Sequence, residues 1–166
     1  MTPQPPEEDR VLLPPEVLDV PARQTAIIHL TVPRERIQEV MGPAIGEVMA
    51  TLAAQGIPPA GPVFSYHLRT DPALFDFEVG VPVERPVLAS GRVVPSRLPA
   101  ARVARAVYQG PYEGLGPAWG ELGSWLAAHD HTPATELWES YVRGPESSPD
   151  ASQWRTELNR PLLSSR

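Results

Sequence analysis

The chain has 166 residues, a length that suits one compact domain and lets it fold without disulfides or metal ions. It contains no cysteine and no lysine, which excludes thiolate metal sites, a cysteine nucleophile and a lysine Schiff base. The chain has 14 basic and 20 acidic residues, so the formal net charge is −6 and we expect no direct binding to nucleic acid.

The N-terminal segment, residues 1–20, is rich in proline and acidic residues, and we expect a mobile tail there. It has no apolar stretch of the kind that a secretory signal carries. No apolar run elsewhere reaches the roughly 18–20 residues that a membrane-spanning helix needs. The sequence therefore predicts a cytoplasmic protein that makes no membrane contact.

The first half of the chain then alternates strand-like and helix-like patterns. Residues 25–32 are β-branched and apolar, as in a buried strand. Residues 34–55 carry one helical apolar stripe, with a kink or a break into two pieces expected at Pro43. Two further strands are predicted over 63–69 and 74–83.

The second half repeats this order after a connector, residues 84–98, in which a short strand is expected at 92–94. The predicted elements are a strand over 102–109, a helix over 112–129 and strands over 136–143 and 153–162. The segment 144–152 is rich in serine and proline and is predicted to be a loop.

The two halves are also similar in sequence. Residues 42–55 match the segment 74 positions later at 8 of 14 positions, and Ser65-Tyr66 matches Ser140-Tyr141 one shift further on. We therefore predict an α+β fold of two tandem βαββ modules, 21–83 and 99–163, that form one domain. Two helices would lie on one face of an antiparallel sheet, with a groove between them.

Seven short motifs occur in an order that identifies a family resemblance. They are Gly61-Pro62-Val63-Phe64, the stretch 77–83, Leu98-Pro99-Ala100, Gly110-Pro111-Tyr112, Trp119 with Leu122 and Trp125-Leu126, Trp138-Glu139-Ser140-Tyr141, and 154–158 with Pro161-Leu162. Over about residues 20–163 the chain resembles the GyrI-like small-molecule-binding domain. That domain is also the effector-binding domain of AraC-type and MerR-type multidrug regulators such as BmrR.

The resemblance implies a tandem βαββ fold with an aromatic-lined groove for bulky, cationic or aromatic compounds. It also implies a glutamate at the groove floor, and the matching position here is Glu139. Because no helix-turn-helix motif is visible in the first 20 residues or so, we expect the stand-alone form rather than a DNA-binding regulator. Some stand-alone members inhibit gyrase or protect against toxins, and others hydrolyse cyclopropane-containing genotoxins.

The residues of the candidate site support that reading on physical grounds. Glu139 and Tyr141 alternate along a predicted strand and so share one face. A carboxylate held in an aromatic cavity is desolvated and needs a cation or a hydrogen-bond donor. The alternative is an exposed glutamate in an ion pair with Arg143 or Arg102.

Aromatic side chains supply the predicted lining of the groove, where ring faces attract cations. The candidates are Tyr112, Trp119, Phe64, Tyr66, Tyr108 and Tyr141. Tyr112 and Trp119 stand seven residues apart on one helical face. Trp125 and Trp154 are instead assigned to core packing.

Other chemistry-bearing residues favour structural roles. His129 and His131 have no third ligand at metal spacing and are interpreted as a solvated helix end, so no metal and no cofactor are expected. Five arginines between positions 85 and 105 are interpreted as a solvated rim. No serine-nucleophile motif is visible, and the oligomeric state stays open.

Three functions remain open from the sequence. The first is a binding protein that sequesters or senses hydrophobic, often cationic small molecules. The second is a hydrolase that opens strained electrophiles, with Glu139 as acid or base and Tyr141 or Tyr112 as a hydroxyl donor. The third is a regulator that binds a protein partner such as a topoisomerase or a transcription factor.

Overall fold

The computed structural model describes residues 11–69, 73–144 and 148–163. They divide into two units, each with its own core. Among the described residues, unit 1 contains 11–18, 102–134, 139–144 and 148–163, and unit 2 contains 19–69, 73–101 and 135–138. Strand β8, Leu137–Arg143, therefore gives its first two residues to unit 2 and the rest to unit 1.

The secondary structure combines antiparallel strands with two helices. The strands are β1 Val11–Leu12, β2 Glu16–Val20, β3 Arg23–Pro33, β4 Phe64–Arg69, β5 Leu74–Pro82, β6 Val94–Leu98, β7 Ala101–Gln109, β8 Leu137–Arg143 and β9 Arg155–Pro161. The helices are α1 Ile37–Gln55 and α2 Leu115–Ala128. Short 3₁₀ turns precede α1, α2 and β9, at Arg34–Arg36, Tyr112–Gly114 and Ala151–Gln153.

Unit 2 packs α1 against strands in the order β4-β5-β3-β6. Antiparallel register pairs Ile28 with Val79, and alternation along both strands turns one apolar row toward the helix. Val48 and Leu52 of α1 fill that core together with Phe77, and all three side chains are fully or almost fully buried. The apolar stripe read from residues 34–55 is thus the core face of α1.

Helix α1 is one continuous helix that contains Pro43, so the predicted break into two pieces is not observed. The 3₁₀ turn lies earlier, before Ile37. The helix ends at Gly56, whose φ of 68° is the left-handed conformation that glycine adopts without strain. Arg85 caps this end by donating to the Gly56 carbonyl at 2.6 Å.

Unit 1 packs α2 against strands in the order β1-β7-β9-β8. Strands β7 and β9 are antiparallel, with Ala106 opposite Leu158. These two residues pack against Leu122 and Leu126 of α2. In both units the strand before the helix pairs with the second strand after the helix, which gives the orders β3-β5-β4 and β7-β9-β8.

The antiparallel α+β architecture with two helices confirms the predicted fold class. Residues 11–12 and 16–20, which the sequence assigned to a tail, form β1 and β2 and pair with β7, because their valine and leucine residues suit an edge strand. The connector strand is β6 at Val94–Leu98 rather than at 92–94. The duplication and the groove between the helices stay predictions.

Candidate functional site

Strand β8 places a glutamate and a tyrosine on one face. Glu139 and Tyr141 are two residues apart and both are half-buried. Trp138 points to the other face, where it is only 4% exposed and packs edge-on against Tyr66 at 5.9 Å. The alternation predicted from the sequence is therefore present in this strand.

Both oxygens of the Glu139 carboxylate accept hydrogen bonds. The Trp119 indole Nε1–H of α2 donates to Oε2 at 2.6 Å. The Tyr141 hydroxyl donates to Oε1 at 2.8 Å. The alternative ion pair with Arg143 or Arg102 is not among the contacts of Glu139 in the described residues, so the carboxylate is held by neutral donors.

Burial raises the pKa of the Glu139 carboxyl above its usual range, and the hydrogen bonds from Trp119 and Tyr141 oppose this rise only in part. The residue keeps some contact with solvent. A desolvated carboxyl with an elevated pKa is a common feature of binding and catalytic sites.

Two more aromatic rings extend the site from Tyr141. Tyr112 lies edge-on to Tyr141, with 5.8 Å between ring centroids. Trp154 is tilted against Tyr112, with 4.8 Å between ring centroids. These rings and Trp119 form, with Glu139, what we call the Glu139 cluster, and all of its members belong to unit 1.

A turn at Gly110-Pro111 fixes Tyr112 in this cluster. Gly110 has a φ of 143° and donates its backbone N–H to the Trp154 carbonyl at 2.9 Å. Tyr108 donates its hydroxyl to the Pro111 carbonyl at 2.7 Å. The turn is thereby attached to the segment before β9.

Core packing was predicted for Trp154, but the residue is half-buried and contacts Tyr112. Its indole N–H donates to the Ser148 carbonyl at 2.9 Å, which orients the ring. The signal available in the sequence was its place between a serine- and proline-rich loop and a strand. Loops on a rigid scaffold often carry binding residues.

The other predicted lining residues have different surroundings. Phe64 is 1% exposed in unit 2. Tyr66, also in unit 2, donates its hydroxyl to Glu136, and burial together with this carboxylate raises the pKa of Tyr66. Tyr108 is 2% exposed and packs in the unit 1 core. Ligand contact by these three residues stays a prediction.

The histidines after α2 flank a tryptophan. Trp125 is half-buried and stacks on His129 at 4.2 Å and on His131 at 5.6 Å. Within the described ranges, no group of three acidic or histidine side chains is arranged to hold a metal ion. Among the arginines, Arg92 pairs with Glu47 at 2.7 Å and Arg105 contacts Asn159 at 2.8 Å.

An open depression of about 340 Å³ lies in unit 2, at the end of α1. Its lining is apolar and consists of Met49, Leu52, Ala53, Gly56, Ile57, Pro58 and Pro59. None of these side chains is titratable. The Glu139 cluster is therefore the stronger candidate for chemistry that needs a charge.

Small-molecule sites are lined mostly by apolar and aromatic side chains with a few polar or charged groups, and the Glu139 cluster has this composition. A family model described as the GyrI-like small molecule binding domain matches residues 13–162. The chain belongs to this family. A comparison with curated proteins finds no match.

Solved structures share the fold at low sequence identity. The crystal structure of the EcmrR C-terminal domain has a TM-score of 0.78 and 21% identity, over 92% of this chain and 98% of that one. The cryo-EM structure of an EcmrR–DNA complex also has a TM-score of 0.78 and 21% identity, over 92% of this chain. This chain spans only 58% of the length of the EcmrR chain in that complex.

Two further neighbours differ in what their names state. SAV2435, solved with bound tetraphenylphosphonium, has a TM-score of 0.63 and 10% identity, over 92% of this chain and 95% of that one. A protein named as a hydrolase, encoded by lin2189 from Listeria innocua, has a TM-score of 0.60 and 12% identity, over 90% and 91%. No helix in the described part of the chain is long and apolar enough to cross a membrane.

Proposed function

We propose that the protein binds hydrophobic, aromatic cations at the Glu139 cluster. The observation that carries this proposal is a desolvated carboxylate whose hydrogen bonds come from Trp119 and Tyr141, both of which are neutral. A buried carboxylate is stabilised by an opposite charge. A ligand cation supplies that charge.

The rings around Glu139 suit the same ligand class. Trp119, Tyr141, Tyr112 and Trp154 are all half-buried, so their faces and edges are within reach of a ligand. A cation on an aromatic face gains about 0.5–2 kcal/mol. The rings pack on one another, so we expect a ligand to insert between them rather than to fill an empty chamber.

Family membership and one structural neighbour support the proposal. The family is one of small-molecule-binding domains. SAV2435, which shares the fold, is a protein solved with tetraphenylphosphonium, a hydrophobic aromatic cation. We infer the same ligand class for this chain because Glu139 supplies the charge that such a cation needs.

Titration with tetraphenylphosphonium, followed by calorimetry and tryptophan fluorescence, tests the proposal. Glu139→Gln keeps the shape of the side chain and removes its charge. A charge-assisted contact contributes about 1.5–3 kcal/mol, so we expect this variant to bind at least about tenfold more weakly. Glu121→Gln makes the same charge change at an exposed position of α2 and is expected to bind like the wild type.

Equal affinity of the wild type and Glu139→Gln would contradict the assignment of the cation to this carboxyl. Absence of tetraphenylphosphonium binding to the wild type would contradict the proposed ligand class.

Hydrolysis of a strained electrophile is the second candidate function. The observation that favours it is the burial of Glu139, because burial raises the pKa of this carboxyl and a carboxyl that keeps its proton can act as a general acid. Tyr141, which contacts the carboxyl at 2.8 Å, would be the hydroxyl donor. The neighbour named as a hydrolase shares the fold. In this scheme, water attacks one cyclopropane carbon, a C–C bond of the ring breaks, and the carboxyl of Glu139 protonates the carbon that leaves. The attacking water then gives a proton to the Glu139 carboxylate, which restores the acid.

Mass spectrometry of a cyclopropane-bearing electrophile after incubation separates the two functions. A hydrolase returns the compound with the mass of one water added, and Glu139→Gln does not. A binding protein returns the compound unchanged.

A further inference from the structure

Some polar side chains in the described part of the chain are buried almost completely, and most of these have a hydrogen-bond partner. Ser65 and His67 contact each other at 3.1 Å, and the Asn159 amide oxygen accepts a hydrogen bond from an arginine. The hydroxyl oxygens of Thr25 and Thr156 have no partner among the described residues. A buried hydroxyl without a partner lowers stability, so each of these two groups needs an explanation.

Thr156 lies on the side of the unit 1 sheet that faces α2. Strand β9 pairs with β7 without interruption, and Thr156 is two residues from Leu158, which packs against α2. Tyr108, directly opposite Thr156 on β7, belongs to the same core. The side chain of Thr156 is therefore enclosed between the sheet and α2.

The Glu139 cluster lies on this side of the sheet as well. Trp119 of α2 donates to Glu139, so β8 turns this carboxyl toward α2, and β8 is the neighbour of β9 in the sheet. Trp154 has extended backbone two residues before Thr156, which places its ring on the same side as the hydroxyl. Thr156 thus belongs to the strand beside the carboxyl and follows a ring of the cluster.

The surroundings of Thr156 also hold the ring of Tyr112. Tyr108 donates its hydroxyl to the carbonyl of Pro111, and Trp154 packs on Tyr112. Tyr112 and Trp154 are half-buried, whereas Thr156 is fully buried, so the two rings lie nearer to the solvent than the hydroxyl does. A ligand that inserts between these rings therefore approaches Thr156 from the solvent side.

We propose that Thr156 is a second polar ligand contact of the Glu139 cluster, and that the preferred ligand is an aromatic cation that also carries a hydroxyl group. The charge of the ligand is bound by Glu139 and its hydroxyl by Thr156. A threonine hydroxyl both donates and accepts, so it can pair with an alcohol. Because the hydroxyl of Thr156 is unpaired without ligand, pairing favours such a ligand over an apolar one. This inference rests on the proposed function and narrows its ligand class.

Pairs of phosphonium compounds of nearly equal size test the inference. Each pair consists of tetraphenylphosphonium with a hydroxymethyl group on one ring and its counterpart with an ethyl group at the same position, and the two pairs are substituted at the meta or the para position. In calorimetric titrations of the wild type, we expect one hydroxymethyl compound to bind at least about fivefold more tightly than its ethyl counterpart. A purely apolar lining would give the opposite order, because burial of an unpaired hydroxyl is unfavourable.

Two valine variants separate ligand binding from stability. Thr156→Val keeps the shape of the side chain and removes its hydroxyl. We expect this variant to lose the preference for the hydroxymethyl compound. Without ligand, its melting temperature should rise by about 2–8 °C, because an unpaired buried hydroxyl is gone.

Thr25→Val is the matched control, since it removes the other unpaired hydroxyl, which lies in unit 2. Its melting temperature should rise in the same way, but it should keep the wild-type preference for the hydroxymethyl compound. Loss of the preference in both variants would assign it to stability rather than to contact with Thr156, and would overturn the inference.

Equal binding within both pairs by the wild type, tighter binding of the ethyl compounds, or a preference that survives in Thr156→Val also overturns the inference. A melting temperature that does not rise in Thr156→Val does so too, because the hydroxyl would then have a partner, such as an internal water, in the free protein. Binding of tetraphenylphosphonium that depends on Glu139 leaves the proposed function intact in each of these cases. If no phosphonium compound binds the wild type, the proposed function fails together with the inference.

Discussion

His67 in unit 2 is a titratable residue enclosed by aromatic rings. It stacks on Phe77 at 5.1 Å with an interplanar angle of 15°, and Phe75 lies edge-on at 5.1 Å. Its Nε2 is 3.1 Å from the Ser65 hydroxyl. Burial, with a smaller effect from the charge of Arg34, lowers the pKa of His67 to about 4.

This shift predicts how stability depends on pH. In the unfolded chain His67 takes a proton near its ordinary pKa of 6.5, but in the folded protein only near about 4. The free energy of unfolding therefore has its full value above about pH 6.5. It decreases by roughly 3 kcal/mol in total as the pH falls toward 4, because only the unfolded chain takes up the proton in this range. We expect His67→Phe to flatten the unfolding free energy over this window in denaturant titrations.

Ser65→Ala is the matched control for His67→Phe. It removes a hydrogen-bond partner but leaves the imidazole buried, so it should lower stability while keeping the slope with pH. A slope that disappears in Ser65→Ala would assign the effect to the hydrogen bond rather than to desolvation.

Residues of the Glu139 cluster differ in how far the sequence predicts them. Strand alternation was sufficient to place Glu139 and Tyr141 on one face of β8. The spacing of seven residues related Tyr112 to Trp119 on the assumption of one helix, whereas Tyr112 lies in the 3₁₀ turn before α2. The hydrogen bond from Trp119 to Glu139 joins residues 20 positions apart on different elements. Such a contact depends on how α2 packs on β8, which periodicity does not specify.

Among the secondary-structure elements, the pairing of β3 with β5 depends on one glycine. A Cβ on Gly80 would lie 1.9 Å from the Ala26 carbonyl oxygen and 2.8 Å from Ile27 Cγ2. Neither backbone nor a buried neighbour can yield that much space. We expect Gly80→Ala to separate these strands and to lower the melting temperature severely or prevent folding.

Gly120→Ala on α2 is the control for Gly80→Ala, since nothing lies within 4 Å of the added methyl group. Alanine favours a helix over glycine by about 0.5–1 kcal/mol, so this variant should be slightly more stable than the wild type. A Gly80→Ala protein that melts near the wild type would show that β3 and β5 tolerate a wider spacing.

Element types were predictable because the local patterns of both helices and of most strands are strong. The stripe that predicted α1 is the row that packs against Val79 and Val81. The first and last residues of the strands were less predictable, since they depend on pairing with strands that are distant in sequence. Strand β6 is fixed by pairing with β3, where Ser96 lies opposite Thr25, and propensity alone placed it two residues too early.

At the scale of the whole molecule, each unit has a core of its own, and the Glu139 cluster belongs to unit 1. A ligand that binds only the folded state stabilises it by about 2.7 kcal/mol when present at 100 times its Kd. Hydrogen exchange therefore reports which unit contains the ligand.

We expect saturating tetraphenylphosphonium to slow amide exchange first in α2, β8 and the segment that carries Trp154, because these elements hold the rings and the carboxyl. Glu139→Gln at the same ligand concentration should show much less protection. Slower exchange confined to the end of α1 and to Ile57 would instead place the ligand in the apolar depression of unit 2, where dispersion and desolvation would have to supply the affinity without a charge.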